Sequence, residues 1–331
     1  MTPVAGLAPM PRKVAIVGGA GFIGSHFADR FLASSDTQRI TVYDNFSSGR
    51  HWHLDRHADD DRLVIVPDDV TNLEQLVAAV AGHDAIIHLA SNPDIARAAT
   101  EPTIDFHQGT ALTQNVVEAA RRADVELLLY ASGSGVYGDL GRLEAQEDHG
   151  PLLPISAYGA SKLAGEALIA SYCFMFGLRA RAFRFGNVVG PRQTHGVGFD
   201  FIRRLRVDPG RLTILGDGLQ SKSYIHVDDV IDAVLAATAK PMPAFEVFNV
   251  ATGDYITVRE IADLAVEVVG ATATEFAFTG GDRGWKGDVP VIRLDTDRIR
   301  KLGWTNKRST REALRTSLEA LVIDARSGRF A

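Results

Sequence analysis

Cysteine is nearly absent from this chain, and so are long apolar runs. Cys173 is the single cysteine in 331 residues, which excludes an intramolecular disulfide and a metal cage made of thiolates. No stretch approaches the roughly 18 consecutive apolar residues of a membrane-spanning helix. The N-terminus also lacks the basic-then-apolar order of a signal peptide. We therefore predict a cytoplasmic protein that has no membrane partner.

A concentration of positive charge is also missing. The 35 Lys and Arg residues and the 41 Asp and Glu residues give a net charge of −6, spread along the chain. A nucleic-acid binder would normally present a basic face, so nucleic acid is not an expected partner. Hydrophobic residues make up 46% of the chain and charged residues 23%. These values are typical of globular proteins and exclude the disordered and fibrous classes.

From residue 13 to residue 185, short aliphatic runs alternate with helical patterns. Strands are predicted at residues 14–17, 40–43, 63–66, 85–89, 126–131 and 180–185. Helices are predicted at residues 21–33, 73–80, 103–123 and 157–176. Continuous apolar strands separated by helices indicate strands buried on both faces. We therefore predict an α/β fold with a Rossmann-type doubly wound parallel sheet over residues 13–185, preceded by a flexible arm of residues 1–12.

Beyond residue 186, glycine and proline become more frequent and the elements become shorter. Helical patterns recur at residues 228–238, 258–269 and 310–325. We predict that residues 186–331 form mainly a smaller mixed α/β lobe, and we expect the chain to cross between the two lobes more than once.

A glycine-rich turn joins the first predicted strand to the first predicted helix. Its sequence is Gly18-Gly19-Ala20-Gly21-Phe22-Ile23-Gly24. Glycine is needed where the backbone takes dihedral angles closed to other residues, touches a pyrophosphate, or lets a helix lie close to its strand. Free N–H groups at the start of the helix then face the anion. A tight turn alone is the other interpretation, but the strand before and the helix after favour a dinucleotide site.

Asp44 ends the second predicted strand, twenty residues after Gly24. A carboxylate at this position accepts hydrogen bonds from the adenosine ribose and repels a 2′-phosphate, so NAD is favoured over NADP. An aspartate that merely forms a turn at the strand end is the alternative. Asp69 follows the third strand and residues 89–91 end the fourth, at the carboxyl edge where such sheets bind ligands.

Tyr158 and Lys162 stand one helical turn apart at the start of a predicted helix, with Ser156 as its N-cap. An ammonium group beside a phenol favours the phenolate, so we expect the tyrosine pKa to fall from about 10 towards neutral pH. A tyrosine in this position can take a proton from a sugar hydroxyl while hydride leaves the same carbon. Such pairs are often exposed and inert, but the dinucleotide site upstream favours a catalytic pair.

With these motifs, the chain resembles the extended short-chain dehydrogenase/reductases that act on nucleotide sugars, especially the 4-epimerases of UDP-galactose type. Further motifs carry the resemblance: His88-Leu89-Ala90, Val136-Tyr137-Gly138, Arg184-Phe185-Gly186-Asn187 and Ser223-Tyr224-Ile225-His226-Val227-Asp228-Asp229. The resemblance covers residues 13 to 325. A subgroup of epimerase-like proteins also shares Asn187-Val188-Val189-Gly190-Pro191-Arg192 and Gly284-Trp285-x-Gly287-Asp288.

The resemblance implies roles for residues at matching positions. It implies that Tyr158 is the acid/base and that Lys162 binds the nicotinamide ribose and tunes Tyr158. Contacts with NAD are implied for Gly18, Gly21, Phe22, Ile23, Gly24, Asp44, Asn45, Asp69, Val70, Leu89, Ala90, Ser91, Tyr158, Lys162 and Phe185. Contacts with the substrate are implied for Ser132, Gly133, Ser134, Asn187, Val197, Phe201, Lys222 and Arg283. The family also implies a homodimer in which helices 103–123 and 157–176 pair across a twofold axis.

The chain departs from the family pattern at Gly133. Relatives carry there a Ser or Thr whose hydroxyl hydrogen-bonds the reacting oxygen. Ser132 and Ser134 flank the glycine, and we expect Ser134 to act as the substitute, with a turn that has no catalytic hydroxyl as the alternative. Losing one donor to a developing charge typically costs about 2–4 kcal/mol, which slows an enzyme without stopping it. A second departure lies at Gln108 or Gly109, where relatives often carry an Asn that faces the cofactor.

The residues after Gly133 distinguish among the reactions of the family. Family 4,6-dehydratases carry Asp-Glu at the positions of Ser134 and Gly135, and decarboxylases carry a Glu. Without those carboxyl groups we predict NAD-dependent epimerisation of a nucleoside-diphosphate sugar, with a UDP-sugar as the expected substrate. The expected site is C4, through a transient 4-keto intermediate with Tyr158 as acid/base. The alternatives are an NDP-sugar reductase or oxidase, an epimerase at another carbon, or, because of Gly133, a non-catalytic NAD(H)-binding sensor.

Three histidines, His51, His53 and His57, stand close together after the second predicted strand. Three imidazoles can bind zinc. However, the spacing in a polar loop favours solvated side chains, and no metal site is predicted.

Overall fold

The computed structural model describes residues 10–241, 243–271 and 273–330, so most of the predicted N-terminal arm lies outside the described residues. A seven-stranded parallel sheet forms its centre. The strands are β1 (Lys13–Val17), β2 (Arg39–Tyr43), β3 (Leu63–Val66), β4 (Ala85–His88), β5 (Leu127–Gly133), β6 (Arg179–Phe185) and β7 (Phe245–Val250). Their order is β7-β6-β5-β4-β1-β2-β3. The order reverses between β1 and β4, which opens a crevice at the carboxyl ends of the strands.

Helices cover both faces of the sheet. Along β1, Val14 and Ile16 join one buried cluster while Ala15 and Val17 join another, because successive side chains of a strand point to opposite faces. The first cluster is completed by α1 (Phe22–Leu32) and α6 (Val227–Thr238). The second is completed by α2 (Leu73–Val80), α3 (Leu112–Arg122) and α4 (Ala157–Phe176). The predicted fold class, a doubly wound parallel sheet, is confirmed.

The predicted helix 103–123 is not continuous. A π-helical turn, Phe106–Ala111, precedes α3, with non-helical angles at Gln108 (φ −95°, ψ 16°). Gly109 packs against α4, where an added Cβ would lie 2.7 Å from the Ser161 hydroxyl oxygen. The absence of a side chain at residue 109 therefore lets this turn approach the helix that carries Tyr158 and Lys162.

The seventh strand comes from beyond residue 186 and was not predicted. β7 pairs in parallel with β6, from Phe245 opposite Ala180 to Val250 opposite Phe185. The chain therefore leaves the central sheet after β6 and returns to it once. The assignment of 13–185 and 186–331 to cofactor and substrate stays a prediction.

The second lobe has its own buried cluster between α5 (Val197–Val207), α7 (Val258–Val269) and α9 (Thr310–Arg326). A short helix, α8 (Asp297–Arg300), precedes α9. Four short strand pairs link the remaining segments: Asn187–Val189 with Tyr224–His226, Arg211–Ile214 with Glu275–Phe278, Ser221–Lys222 with Ile256–Thr257, and Glu144–Ala145 with Arg293–Leu294. Within the described part of the chain, every helix is too short or too polar to span a lipid bilayer.

Candidate active site

A cavity of about 1230 Å³ lies along the carboxyl edge of the sheet and reaches into the second lobe. It is lined by all of the predicted cofactor contacts: Gly18, Gly21, Phe22, Ile23, Gly24, Asp44, Asn45, Asp69, Val70, Leu89, Ala90, Ser91, Tyr158, Lys162 and Phe185. It is also lined by Ser132, Gly133, Ser134, Asn187, Val197, Phe201 and Lys222. Arg283 is the exception among the predicted contacts, since it does not belong to the cavity lining.

The glycine-rich turn forms one wall of this cavity. Gly18 has φ +84°, and an added Cβ there would lie 2.7 Å from the backbone nitrogen of Ala90. An added Cβ at Gly24 would lie 2.6 Å from the Cα of Gly19, so only glycine lets α1 start this close to β1. The first residues of α1 have no side-chain N-cap. The positive end of the helix is therefore open to an anion in the cavity.

Asp44 sits beside this turn at the end of β2. Its Oδ2 accepts a hydrogen bond from the Ala20 backbone N–H (2.9 Å) and its Oδ1 accepts one from Phe46 (2.8 Å). Burial raises the pKa of Asp44, and the backbone hydrogen bonds oppose that shift. Each carboxylate oxygen has a further lone pair, so the fixed carboxylate can still accept hydrogen bonds from a ribose.

Lys162 is buried beneath the cavity on α4, which begins with the predicted Ser156 cap. Its Nζ donates a hydrogen bond to the Ala131 carbonyl oxygen (2.8 Å) and lies 5.4 Å from the centroid of the Tyr158 ring. Burial lowers the pKa of Lys162 to about 8, while the charge of Asp105 partly opposes the shift. Lys162 therefore lies beside Tyr158, with its ammonium bonded to the backbone of β5.

The structure corrects the expectation that Lys162 lowers the pKa of Tyr158. The pKa of this phenol is raised to about 12, mainly by burial and also by the charge of Asp105, while the nearby Ser91 side chain partly opposes the shift. Desolvation of the phenolate dominates.

Asp105 is a buried carboxyl group that the sequence reasoning missed. Its side chain is 1% exposed, and Oδ1 accepts a hydrogen bond from the Asn92 amide (3.0 Å). Oδ2 has no hydrogen-bond partner among the described residues. Burial raises the pKa of Asp105. A polar residue just before the π-helical turn was the available signal, but no spacing rule connects residue 105 with residue 158.

Gly133, where relatives carry a hydroxyl, is the last residue of β5. The Ser132 hydroxyl donates to Glu166 Oε1 (2.5 Å), and Glu166 in turn accepts two hydrogen bonds from Arg184 (3.0 and 2.7 Å). Ser132 is thus held in a buried polar network. At Gly133, an added Cβ would lie 3.8 Å from Cε1 and 4.0 Å from the hydroxyl oxygen of Tyr158. Space for a side chain therefore exists beside the phenol, and glycine leaves it open.

The second lobe supplies the other end of the cavity. Lys222 donates to Asp288 Oδ1 (2.6 Å), and the Asn187 amide donates to the Ser223 carbonyl oxygen (3.3 Å). Arg283 instead pairs with Asp139 (2.6 Å), which holds its guanidinium outside the cavity. His195 lines this end and was not predicted. Its position in a segment rich in glycine was the available signal.

Comparison with known proteins identifies the family. The model of the "NAD dependent epimerase/dehydratase family" matches residues 14–251. The chain belongs to this family. It is 33% identical over 93% of its length to the UDP-glucose 4-epimerase of Mycolicibacterium smegmatis, of which it covers 97%.

Two solved structures of related proteins share the fold. The UDP-glucose 4-epimerase of Thermotoga maritima has 30% identity and a TM-score of 0.84, with 95% of this chain and 99% of that one covered. The dTDP-glucose 4,6-dehydratase DesIV of Streptomyces venezuelae has 26% identity and a TM-score of 0.87, with 96% and 98% covered. The family thus includes epimerases and a dehydratase on one architecture.

NAD is the cofactor of this family, and the residues of this chain fit it. Added Cβ atoms at Gly18 and Gly24 would close the turn that a pyrophosphate needs. The carboxylate of Asp44 stands at the end of β2, where the adenosine ribose is bound in such folds.

Of the three histidines after β2, His51 is exposed, as expected, whereas His53 and His57 are not solvated side chains. His53 is 1% exposed and its Nδ1 hydrogen-bonds the Ala20 carbonyl oxygen (2.7 Å), while Nε2 of His57 hydrogen-bonds Asp29 (2.8 Å). They anchor the segment after β2 to the glycine-rich turn and to α1. In the described ranges, no group of three or more His, Cys, Asp or Glu side chains is arranged to hold a metal ion.

Proposed function

We propose that the protein is an NAD-dependent epimerase of a UDP-sugar that inverts the configuration at C4. The observation that carries the proposal is the position of Tyr158 in one cavity that contains both a dinucleotide cradle and a second, partly basic end. A substrate bound across that cavity brings a sugar hydroxyl to the phenol while its nucleotide occupies the second lobe.

Tyr158 moves the proton in this proposal. In its phenolate form, the Tyr158 oxygen accepts the proton of the C4 hydroxyl, and the resulting phenol later returns that proton to the oxygen of the 4-keto sugar. When bound, NAD⁺ supplies a reversible hydride acceptor. Lys162 is kept beside the phenol because its Nζ donates a hydrogen bond to the Ala131 carbonyl oxygen. The large cavity leaves room for the keto sugar to turn over between the two half-reactions.

The neighbouring side chains favour epimerisation over elimination of water. Residues 134 and 135 are Ser and Gly, so the cavity wall next to the phenol carries no carboxyl acid or base at these positions. Asp105 is close enough to affect Tyr158, but it is buried and outside the cavity lining. A dehydratase needs a carboxyl group that reaches the substrate.

A UDP-sugar is proposed because the curated relative and the solved epimerase described above are both UDP-glucose 4-epimerases. In the proposed pose, Asn187 and Lys222 contact the phosphates, and Val197 and Phe201 lie near the base. Lys222 already pairs with Asp288, so a bound phosphate shares or replaces that partner. Arg283 needs to leave Asp139 before it can contribute.

The test is incubation of the purified protein with UDP-glucose, UDP-galactose, UDP-N-acetylglucosamine, dTDP-glucose and GDP-mannose, followed by proton NMR of the anomeric and H4 signals. We expect one UDP-sugar to give its C4 epimer without net production of NADH, and Tyr158→Phe to reduce the rate below detection. A 4-keto-6-deoxy product, inversion at another carbon, or stoichiometric NADH would overturn the proposal.

A homodimer is also proposed. The end of α4 exposes Phe174 (93%), Met175 (67%) and Phe176 (50%), and a second copy paired through α3 and α4 is the proposed occupant of this apolar surface. Light scattering during gel filtration should give twice the chain mass of 35.7 kDa. A monomer at micromolar concentration would contradict this.

A further inference from the structure

Lys162 is a buried cation with few polar partners. It is 3% exposed, and an ammonium group has three hydrogen-bond donors. Among the described residues, its Nζ makes one hydrogen bond, to the Ala131 carbonyl oxygen (2.8 Å), and no ion pair. A buried charge is costly unless its surroundings stabilise it. The charged form of Lys162 therefore depends on the other groups around Nζ.

Two tyrosine rings lie close to this ammonium. Nζ is 5.2 Å from the centroid of the Tyr130 ring and 5.4 Å from the centroid of the Tyr158 ring. Both distances are within the roughly 6 Å over which the negative face of an aromatic ring attracts a cation. Tyr158 lines the cavity, whereas Tyr130 is 1% exposed and does not belong to the lining. Tyr130 therefore approaches Lys162 from the protein interior.

The fold holds the Tyr130 ring at this place. On β5, Tyr130 lies between His88 of β4 and Ala182 of β6. On α4, Gly165 follows Lys162 by three residues and so lies on the same face of the helix. An added Cβ at Gly165 would lie 2.8 Å from Cζ of Tyr130. The absence of a side chain at residue 165 therefore lets the ring lie against α4, beside Lys162.

We propose that Tyr130 is a positioning residue whose ring holds the Lys162 ammonium beside Tyr158. The ring attracts the charged form of Lys162 and not the neutral form, and this attraction is stronger in a dry interior than at the surface. Tyr130 does not touch the substrate. Its effect on catalysis rests on the proposed function, in which the charge of Lys162 favours the phenolate of Tyr158. Its contact with Lys162 does not depend on that function.

The first test measures the protonation of Lys162 without substrate. In the full chain labelled with ¹³Cε-lysine, Lys162 gives one of seven lysine signals, which Lys162→Met identifies. We expect the pKa of Lys162, about 8 in the wild type, to fall by about one unit in Tyr130→Leu. Tyr130→Phe keeps the ring and should keep this pKa. An unchanged pKa in Tyr130→Leu, or an equal fall in Tyr130→Phe, would overturn the proposal.

A ring of the same shape with a different charge distribution gives a second test that does not depend on how the core accepts leucine. Pentafluorophenylalanine at residue 130 is close in shape to phenylalanine, but its fluorines remove the negative potential of the ring face. We expect the pKa of Lys162 to be at least one unit lower with this ring than in Tyr130→Phe. The same pKa with both rings would refute the proposed attraction.

Leu128→Ala separates the ring from ordinary packing. Leu128 is fully buried and lies two residues before Tyr130, on the same face of β5 and in the same cluster. Its truncation should lower the free energy of unfolding and leave the pKa of Lys162 in place. A fall as large as in Tyr130→Leu would assign the effect to packing and overturn the proposal. The other titratable or charged groups around Lys162 and Tyr130 are the same in all these proteins: His88 on β4, Tyr158 and Glu166 on α4, Arg184 on β6, and Asp105 before the π-helical turn.

The kinetic test uses the alkaline side of the pH profile. We expect kcat/KM for the UDP-sugar to begin to fall about one pH unit lower in Tyr130→Leu than in the wild type, and Tyr130→Phe to keep the wild-type profile. With the pKa of Lys162 moved from about 8 to about 7, the loss is about twofold at pH 7 and nearly tenfold at pH 9. A loss of the same size at every pH would contradict the proposal.

The two kinds of test separate this inference from the proposed function. If the wild-type protein converts none of the nucleotide sugars, the proposed function fails, but the NMR titration still shows whether the Tyr130 ring stabilises the Lys162 charge. If a sugar is converted and the pKa of Lys162 is the same with every side chain at residue 130, this inference alone fails.

Discussion

Lys162→Met should make the protein more stable at neutral pH while it removes the activity. Lys162 is 3% exposed, and burial lowers its pKa from 10.5 to about 8. Each pKa unit corresponds to about 1.4 kcal/mol, so keeping this lysine charged in the folded protein costs roughly 3 kcal/mol. Methionine has a similar length and no charge. It also loses the hydrogen bond to Ala131, which offsets about 1 kcal/mol of the gain.

The dependence on pH gives the sharper test. The pKa of Lys162 is lower in the folded than in the unfolded protein. The full cost of burying its charge therefore lowers the stability of the wild type below pH 8. It disappears as pH rises to about 10.5. The stability difference between Lys162→Met and the wild type should therefore decrease by roughly 3 kcal/mol across that range. The difference should change from about +2 kcal/mol at pH 7 to about −1 kcal/mol near pH 10.5.

Urea denaturation at pH 7, 8, 9 and 10 measures this difference. Lys301→Met serves as the control, because it makes the same substitution at an exposed lysine. A Lys162→Met difference that stayed constant from pH 7 to pH 10 would refute the reasoning, whatever its size. A stability difference that is the same at every pH would reflect packing, because only a group that titrates in the wild type makes the difference vary with pH.

Four further predictions follow from other contacts in the structure. Gly24→Ala should destabilise the NAD-free protein by about 1–3 kcal/mol in urea, since its Cβ meets backbone. Gly21→Ala, whose Cβ would meet one atom at 3.2 Å, should keep that stability and weaken NAD binding measured by calorimetry. Glu166→Gln should lower the free energy of unfolding by about 3–5 kcal/mol, because its partner Arg184 is buried. Glu101→Gln, on the surface, should lower it by less than about 1 kcal/mol. Gly133→Ser should fold normally, since its Cβ has ordinary contact distances, and should raise kcat because it returns a hydroxyl donor to the Tyr158 phenol.

The parts of the site that are local in sequence could be predicted. The glycine-rich turn, Asp44 and the Tyr158–Lys162 pair each lie at the end of one strand or on one turn of helix, where spacing determines which groups share an edge or face. The alternation of apolar strands and helices then fixes the sheet, because buried parallel strands need right-handed crossovers. Residues 14–17 and 63–66 were therefore assigned within one residue of the strands in the structure.

The parts that depend on contacts between distant segments could not be predicted. β7 is interrupted by the polar residues Glu246 and Asn249 and follows a segment of different composition, so nothing local assigns it to the central sheet. The kink at Gln108 depends on Gly109 lying against Ser161. The pKa of Tyr158 was predicted with the wrong sign because spacing shows the nearby lysine, whereas burial depends on the whole fold.

Burial also explains how this site can respond to its ligands. Three titratable groups, Lys162, Tyr158 and Asp105, lie together. Lys162 donates to the neutral Ala131 carbonyl oxygen, and Asp105 accepts from the neutral Asn92 amide. None of the three forms an ion pair within the described ranges of the chain. Their charges are therefore not fixed by contact with an opposite charge, and in a dry site they interact strongly over several ångströms. A charged ligand entering the cavity should shift the pKa of all three groups together, so the protonation state that suits catalysis is reached in the complex and not before it.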